Sequence, residues 1–481
     1  MLALVAACTA APDVAPPRIA SAGADPVPLL QQLIRVDTRN PGGKTLPVAQ
    51  LLQREFEAVG AQTEIIATPT AGVVHFIARI DGSDEQPPVL LAAHSDVVPF
   101  DPEQWSVEPL GAQVKDGWVY GRGAMDFKGG LAVFATAVLR IAKEQLPLDR
   151  DVILLAEAEE EGGRYNTEWL ARQHWDKINA GVALNEGGWI LEGPGGKPAQ
   201  VTISTADKIY AVLALRTTAT STHASRPLPD SAIVRLNAAI AKLGGYDTPV
   251  TLNAQTHEYF TTLAEHSAPP LSDAARRLVS AATQQERDQA GQDVVRFSGY
   301  QPLHHALMRN TLAYTVQRAG EKDNVIPGSA EARINVRLVP GGSTPFDVAE
   351  QVRAVIADPK VTVTVQPPPG RPEMTEQQIR DFYEAAARRQ PSPTDTDLYD
   401  ALVDQARAQW PTAAVAPGLF EAGTDATAWR SRGVPVYGIY PYPLDNDTLE
   451  RMHGNDERIK VSSLEEGAEM IYRTLKQVAG R

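Results

Sequence analysis

The chain contains a single cysteine, Cys8. One thiol forms no internal disulfide, and no thiolate cage for zinc can be built from it. Any metal bound by this protein must therefore be held by His, Asp and Glu. Long apolar runs are also missing, and none approaches the roughly 18 residues that a bilayer-spanning helix needs. Positive charge is in deficit: 45 Lys and Arg stand against 59 Asp and Glu, a formal net charge of −14. Nucleic-acid binding rests on basic side chains that neutralise phosphates, so this balance argues against a nucleic-acid partner. A surplus of carboxylates suits a protein that gathers divalent cations. The rest is ordinary for a globular protein. The 481 residues are 43% hydrophobic and 22% charged, enough for two or more domains around a sizeable core.

The first 25 residues read as a signal and tether. A short apolar stretch from Leu2 runs into Val5-Ala6-Ala7-Cys8, an order that resembles a bacterial lipoprotein cleavage box, and a Pro/Ala-rich segment follows. This implies a lipid anchor through Cys8 and a periplasmic or membrane-anchored location. The alternative is a plain tail on a cytoplasmic protein.

Four apolar runs, 73–80, 89–93, 152–156 and 434–439, are short, rich in Val, Ile and Leu, and not alternating. Strands buried on both faces of a sheet read this way. Helical spacing appears between them, with Val48, Leu51, Leu52, Phe56 and Val59 in 47–59, and again in 130–142. Strands alternating with helices predict an α/β domain with a mostly parallel sheet. A second unit begins near Asp207. It offers a strand at 209–215, a helix at 230–243 with Asp230 as N-cap, strands at 311–317 and 330–338, a helix at 344–357 and a strand at 361–365. In 330–338, Ala332, Ile334, Val336 and Leu338 alternate with Arg333, Asn335 and Arg337, so one face is wet. The order β-α-β-β-α-β predicts a small α+β sandwich with one open sheet face. The polar, helix-leaning stretch 251–309 does not fit and reads as an insertion. After about Gln366 the chain returns to the first unit. The predicted divisions are 26–206, 207–366 and 367–481.

The apolar runs end in polar residues that carry chemistry. Run 89–93 ends in His94-Ser95-Asp96, and 152–156 in Glu157-Ala158-Glu159-Glu160-Glu161. Run 182–184 ends in Asn185-Glu186-Gly187-Gly188, and 434–439 leads through a Pro/Tyr loop to His453. Between the first two lies GRGAMDFKGG, which carries Asp126 in a glycine-rich turn before a helix. Ligand sites of open parallel sheets form beyond the carboxyl ends of the strands, so several strands deliver His or Glu to one edge. Clustered carboxylates repel and are costly to desolvate unless a cation or proton is shared. Two His with several Asp and Glu and no Cys suit zinc first among divalent ions. Five ligands for two ions, one of them bridging, would make a two-metal clamp.

HSDVVP, GRGAMDFKGG, the EEEGG stretch, ALNEGG, NVIPGSAEARINVRLVPG and the late AGTD and MHG segments resemble the zinc exopeptidases that include glutamate carboxypeptidase, aminoacylase and carboxypeptidase S. The NVIP and YPYPLDNDTLERMHGNDERI segments are most similar to the carboxypeptidase S-like branch. The resemblance implies a dizinc catalytic domain with the second unit inserted as a lid or dimerisation domain. It implies His94 and Glu186 on one Zn2+, Glu161 and His453 on the other, and Asp126 bridging; Co2+ or Mn2+ can occupy such sites. Glu160 is the implied general base, with a one-residue ambiguity left by three successive glutamates. Asp96 would accept a hydrogen bond from the second ring nitrogen of His94. His223 would steady the oxyanion, in several relatives from a partner subunit, which implies a homodimer. Arg337 and Asn324 would bind substrate, Arg337 taking its carboxylate. Gly423, Thr424 and Asp425 match a loop near the metals. The implied activity is hydrolysis of amide bonds in small peptides or N-acyl amino acids that bear a free carboxylate.

Two other readings remain. A dizinc aminopeptidase uses a similar ligand set, although the lid with His223 and Arg337 argues against it. A catalytically silent peptide-binding lipoprotein would not need the full set of ligands and base. A TIM-barrel amidohydrolase would want a His-x-His pair after its first strand, and His94-Ser95-Asp96 is not one. His304 and His305 lie in the insertion with no matched partner and read as structural or surface residues.

Overall fold

The structure, a computed structural model, describes residues 25–83, 85–369 and 371–481. Cys8, and with it the expected anchor, lies outside the described residues. Among the described residues no helix is long and apolar enough to cross a membrane.

The strand Val89–His94 is buried along its whole length. It lies between Val152–Glu157 and Val182–Asn185, parallel to both. Val436–Gly438 extends this parallel set beside Val182–Asn185. Antiparallel strands widen the sheet on both sides. Val74–Ile80 and Gln62–Ala67 join one edge. On the other, Pro198–Asp207 joins Val436–Gly438 and carries Ala414–Phe420 in parallel. The result is a ten-stranded α/β sheet. Its central strands are apolar on both faces because helices cover both, and Lys128–Lys143, packed on Val461–Ala479, buries Leu131, Phe134 and Val138 against it. The three parallel strands end together at His94, Glu157 and Asn185.

The second unit forms a four-stranded antiparallel sheet in the order Thr311–Ala319, Ser329–Leu338, Ile209–Thr218, Val361–Val365. Helices Ala232–Leu243 and Pro345–Ile356 share one apolar cluster with Leu213, Leu215, Ile334 and Val336. This is the predicted β-α-β-β-α-β unit. Its first helix starts one residue later than expected. Ser231, not Asp230, is the N-cap, its Oγ accepting the Val234 N–H at 3.4 Å. Asp230 is drawn instead into ion pairs with Arg235 and Lys360.

Two segments pack differently from the expected divisions. The insertion folds as four helices, Ala254–His266, Leu271–Ser280, Gln284–Phe297 and Gln301–Leu307. Tyr259, Phe260, Leu263, Leu278 and Val294 join the apolar cluster of the large sheet, not that of the small one. Helix Glu376–Ala387 does the reverse: its Ile379 and Tyr383 pack in the small-sheet cluster. The chain rejoins the large cluster only with Leu398 and Leu402 of Asp397–Gln409. An amphipathic stripe announces a helix but not which sheet will cover it.

Candidate metal centre

His94 closes its strand with the ring buried, and its Nδ1 donates to the Asp96 backbone carbonyl at 2.9 Å. That bond fixes the tautomer and leaves Nε2 facing inward. Nε2 lies 3.1 Å from Asp126 Oδ1 and 3.5 Å from Glu186 Oε2. On the other side, His453 Nε2 lies 3.0 Å from Asp126 Oδ2 and 3.1 Å from Glu161 Oε1. The two oxygens of Asp126 thus face one imidazole each. His94, Asp126 and Glu186 form one group whose ligand atoms lie within 4.8 Å of each other, and Asp126, Glu161 and His453 form a second. Glu160 lies within the same reach of His94 and Glu161.

The run of glutamates is sorted by its backbone. Glu159 has φ +64°, a left-handed conformation, and its carboxylate turns back to accept the Tyr165 N–H at 2.6 Å. A Cβ at Gly163 would stand 2.0 Å from the Glu159 Cβ, so the glycine there leaves room for this turn. Glu160 and Glu161 are the two that reach the cluster.

Asp96 differs from its expected part. Its carboxylate is 3.8 Å from His94 Nδ1, which the Asp96 carbonyl already takes. The carboxylate instead accepts the backbone N–H of Glu160 at 3.2 Å and of Glu161 at 3.1 Å, together with Asn40 Nδ2 at 2.8 Å. With its own backbone already satisfying the imidazole, the carboxylate is free to anchor the glutamate loop. His75, buried on a neighbouring strand, grips the same loop. Its Nδ1 accepts the Ala158 N–H at 3.2 Å and its Nε2 donates to the Tyr165 carbonyl at 2.8 Å.

Burial pushes Glu186 up to about 7 and Glu160 well above the usual carboxylate range, with the Glu186 charge adding to the rise at Glu160. Burial would lower His453, but hydrogen bonds to Asp126 and Glu161 outweigh it and raise the imidazole to about 10. Burial would raise Asp126, but the two imidazoles hold it below the ordinary range. Four largely buried carboxylates crowd two imidazoles, with the site open to water at the half-exposed His453, an arrangement that calls for added positive charge. The donors are nitrogen and oxygen only, which fits zinc, cobalt or manganese.

The small sheet contributes differently. His223 and Asn324 sit on an exposed two-stranded ribbon, Thr222–His223 against Val325–Ile326, with Ala224 N–H donating to the Asn324 carbonyl at 3.0 Å. His223 Nδ1 pairs with Ser225 Oγ at 2.8 Å, and among the described residues no hydrogen bond or ion pair links either residue to the cluster. Arg337, on Ser329–Leu338, lies over the Tyr210 ring at 4.9 Å and finds no acceptor among the described residues. Burial lowers its pKa, while Glu160 and Glu421 are close enough to oppose this. Of the insertion histidines, His304 is buried with Nε2 2.9 Å from the Tyr259 hydroxyl.

Sequence patterns did not single out several supporting residues. Glu457 accepts the backbone N–H groups of Gly123, Met125 and Asp126 at 3.0, 2.8 and 3.0 Å. The Tyr440 hydroxyl touches both Asp126 and Glu186. Glu421, raised to about 7 by burial, accepts the Trp189 indole N–H at 3.0 Å. The only local hint for Glu457 was its place just beyond His453.

A model of peptidase family M20/M25/M40 matches residues 90–477. The chain is 28% identical over 403 residues to the probable carboxypeptidase S-like 2 of Dictyostelium discoideum, an alignment covering 82% of this chain and 72% of that one. It is 28% identical over 404 residues to the human N-fatty-acyl-amino acid synthase/hydrolase PM20D1, covering 82% and 75%. Among solved structures, the M20 family metallo-carboxypeptidase Sso-CP2 from Sulfolobus solfataricus aligns with TM-score 0.65 at 18% identity, over 94% of this chain and 99% of that one. Human carnosine dipeptidase 1 aligns with TM-score 0.63 at 15% identity, over 94% and 95%. At those identities the structural likeness is one of fold. The chain belongs to peptidase family M20/M25/M40 and is an enzyme of the metallo-exopeptidase type.

Proposed function

We propose that, within this family, the chain hydrolyses the amide bond beside a free carboxylate in small peptides or N-acyl amino acids, with two divalent ions, zinc first. The observation that carries this reading is the sharing of Asp126 between two ligand groups, with Glu160 against both. His94 and Glu186 would hold one ion, Glu161 and His453 the other, and Asp126 both. Ions there would supply Lewis acidity toward the scissile carbonyl and acidify a water between them. Glu160, within reach of both ligand groups, would take the proton of the attacking water and hand it to the leaving amine nitrogen. The Asp96 carboxylate would hold Glu160 and Glu161 in place through their backbone. Arg337, a cation without an acceptor of its own among the described residues, would take the substrate carboxylate through its fork. His223 and Asn324 would reach the substrate on closure of the lid or from a second copy, His223 facing the developing oxyanion.

The test is a hydrolysis screen over C-terminal amino acids and N-acyl groups, with free-amine amides beside them, with and without added zinc. Turnover of carboxylate-bearing substrates that depends on metal supports the proposal. Preference for free-amine amides lacking a carboxylate would favour an aminopeptidase. Freshly purified protein with neither metal nor turnover would favour a binding protein.

A further inference from the structure

Tyr440 follows the strand Val436–Gly438 and is 1% exposed. Its backbone N–H donates to the Gly188 carbonyl at 2.9 Å, which ties it to the loop carrying Glu186. Its hydroxyl lies 2.9 Å from Asp126 Oδ1 and 3.1 Å from Glu186 Oε2. The ring is clamped by the neighbours of those same two residues. Phe127, next to Asp126, meets it edge-on at 5.0 Å, and Trp189, three residues past Glu186, stacks on it at 4.3 Å. The Trp189 indole is held in turn by Glu421. The hydroxyl therefore cannot follow either carboxylate if it swings away.

We infer that Tyr440 is a positioning residue for the ion on the His94 side, its hydroxyl holding the Asp126 and Glu186 carboxylates in the arrangement that presents both to one cation. This rests on the metal-centre reading above. Two buried carboxylates side by side repel, and a fixed donor between them lowers the cost of keeping them together before a cation arrives. Partners that orient ligands in this way contribute roughly tenfold to a hundredfold in metal affinity. Neither Glu161 nor His453 is touched by the hydroxyl, and of the shared Asp126 it holds Oδ1, the oxygen on the His94 side, so the effect falls mainly on the ion there.

The test compares the full-length protein with Tyr440→Phe, which keeps the ring and its packing. Zn2+ binding is measured by competition with a chromogenic chelator, and the visible spectrum is recorded after Co2+ loading. In the variant, one equivalent should weaken by about tenfold to a hundredfold and the Co2+ spectrum of that site should change. The second equivalent should weaken far less, and the melting temperature of the metal-stripped protein should stay as in the wild type. Unchanged affinity at both sites overturns the inference while leaving the metal centre standing. Equal weakening at both sites with a lower melting temperature also overturns it, since the tyrosine is then a packing residue. A wild type that binds fewer than two ions sinks the metal-centre reading itself, and this inference with it.

Discussion

Arg122 and Glu457 form an ion pair at 2.6 Å with at most 2% of either side chain exposed. Glu457 also receives the backbone of the Asp126 turn, and Arg122 Nη2 donates to the carbonyls of His453 at 3.1 Å and Gly454 at 2.9 Å. One buried pair therefore joins the turn of the shared carboxylate to the loop of the second imidazole. Such pairs add little net stability, but removing one partner strands the other charge at a cost of about 3–5 kcal/mol. Glu457→Ala should lose about that much in denaturant unfolding of the metal-stripped protein, whereas Glu457→Gln, which keeps an acceptor, should lose less. An alanine variant as stable as the wild type would show that the pair is no clamp.

Asp96→Asn should leave folding nearly intact and slow the enzyme. The amide has one acceptor oxygen where the carboxylate offers two, and its NH2 would face a backbone N–H of Glu160 or Glu161. The loop must shift, and kcat should fall by about tenfold to a hundredfold, the usual range for partners that orient a site. Steady-state kinetics beside metal analysis checks this. A loss in KM alone would point to substrate binding instead.

Glu160→Gln removes the proposed base without removing a proposed ligand. Turnover should drop by about 10²- to 10⁴-fold while the purified variant retains two equivalents of zinc. Substantial residual turnover would move the proton-transfer role elsewhere.

His75 makes a prediction about acid. Burial holds this imidazole down at about 4, against an ordinary 6.5. The folded state keeps it neutral, so the unfolded chain binds one more proton between those values. Stability is unaffected above about pH 6.5 and falls as the pH drops toward 4, by about 3 kcal/mol in all at 1.36 kcal/mol per unit. His75→Gln should make the stability profile between pH 6.5 and 4 less steep, measured by denaturant titration at fixed ionic strength, while His304, held at about 4 by the same burial, keeps its own share. An unchanged profile means another group carries the acid sensitivity.

His223 lies on an exposed ribbon with no link to the cluster in one chain among the described residues. His223→Ala should cut kcat by about 10²- to 10³-fold, as loss of an oxyanion donor does, with metal content unchanged. Mixing it with inactive Glu160→Gln distinguishes the sources: recovered activity means the imidazole crosses from a second copy, and no recovery means the lid brings it within the chain.

Much of the clustered set was legible because apolar runs stop beside it. His94 ends one parallel strand, Glu186 directly follows a second and Glu161 lies four residues past a third, and strand ends at one edge of such a sheet share a neighbourhood whatever the loops do. The triplet of glutamates was harder. Its register depended on the left-handed turn at Glu159, which the following glycines permit but do not announce. The part played by Asp96 was misread, because sequence proximity to His94 does not tell a carbonyl from a carboxylate. Tyr440 and Glu457 lie in the YPYPLDNDTLERMHGNDERI segment but were given no role there, and His75 left no signal, since a buried aromatic, a loop glutamate and a strand histidine all look ordinary in one dimension.

Composition and pattern determined that this chain would be an α/β protein with a sulfur-free, acid-rich centre at one sheet edge, because hydrophobic runs and their endings are local properties, and the motif resemblance implied the enzyme. Tertiary structure alone decided which sheet each amphipathic helix would join, and which side chains hold the clustered histidines and carboxylates still. Those contacts join residues up to 335 positions apart, and their distances are set by packing, which no local pattern encodes.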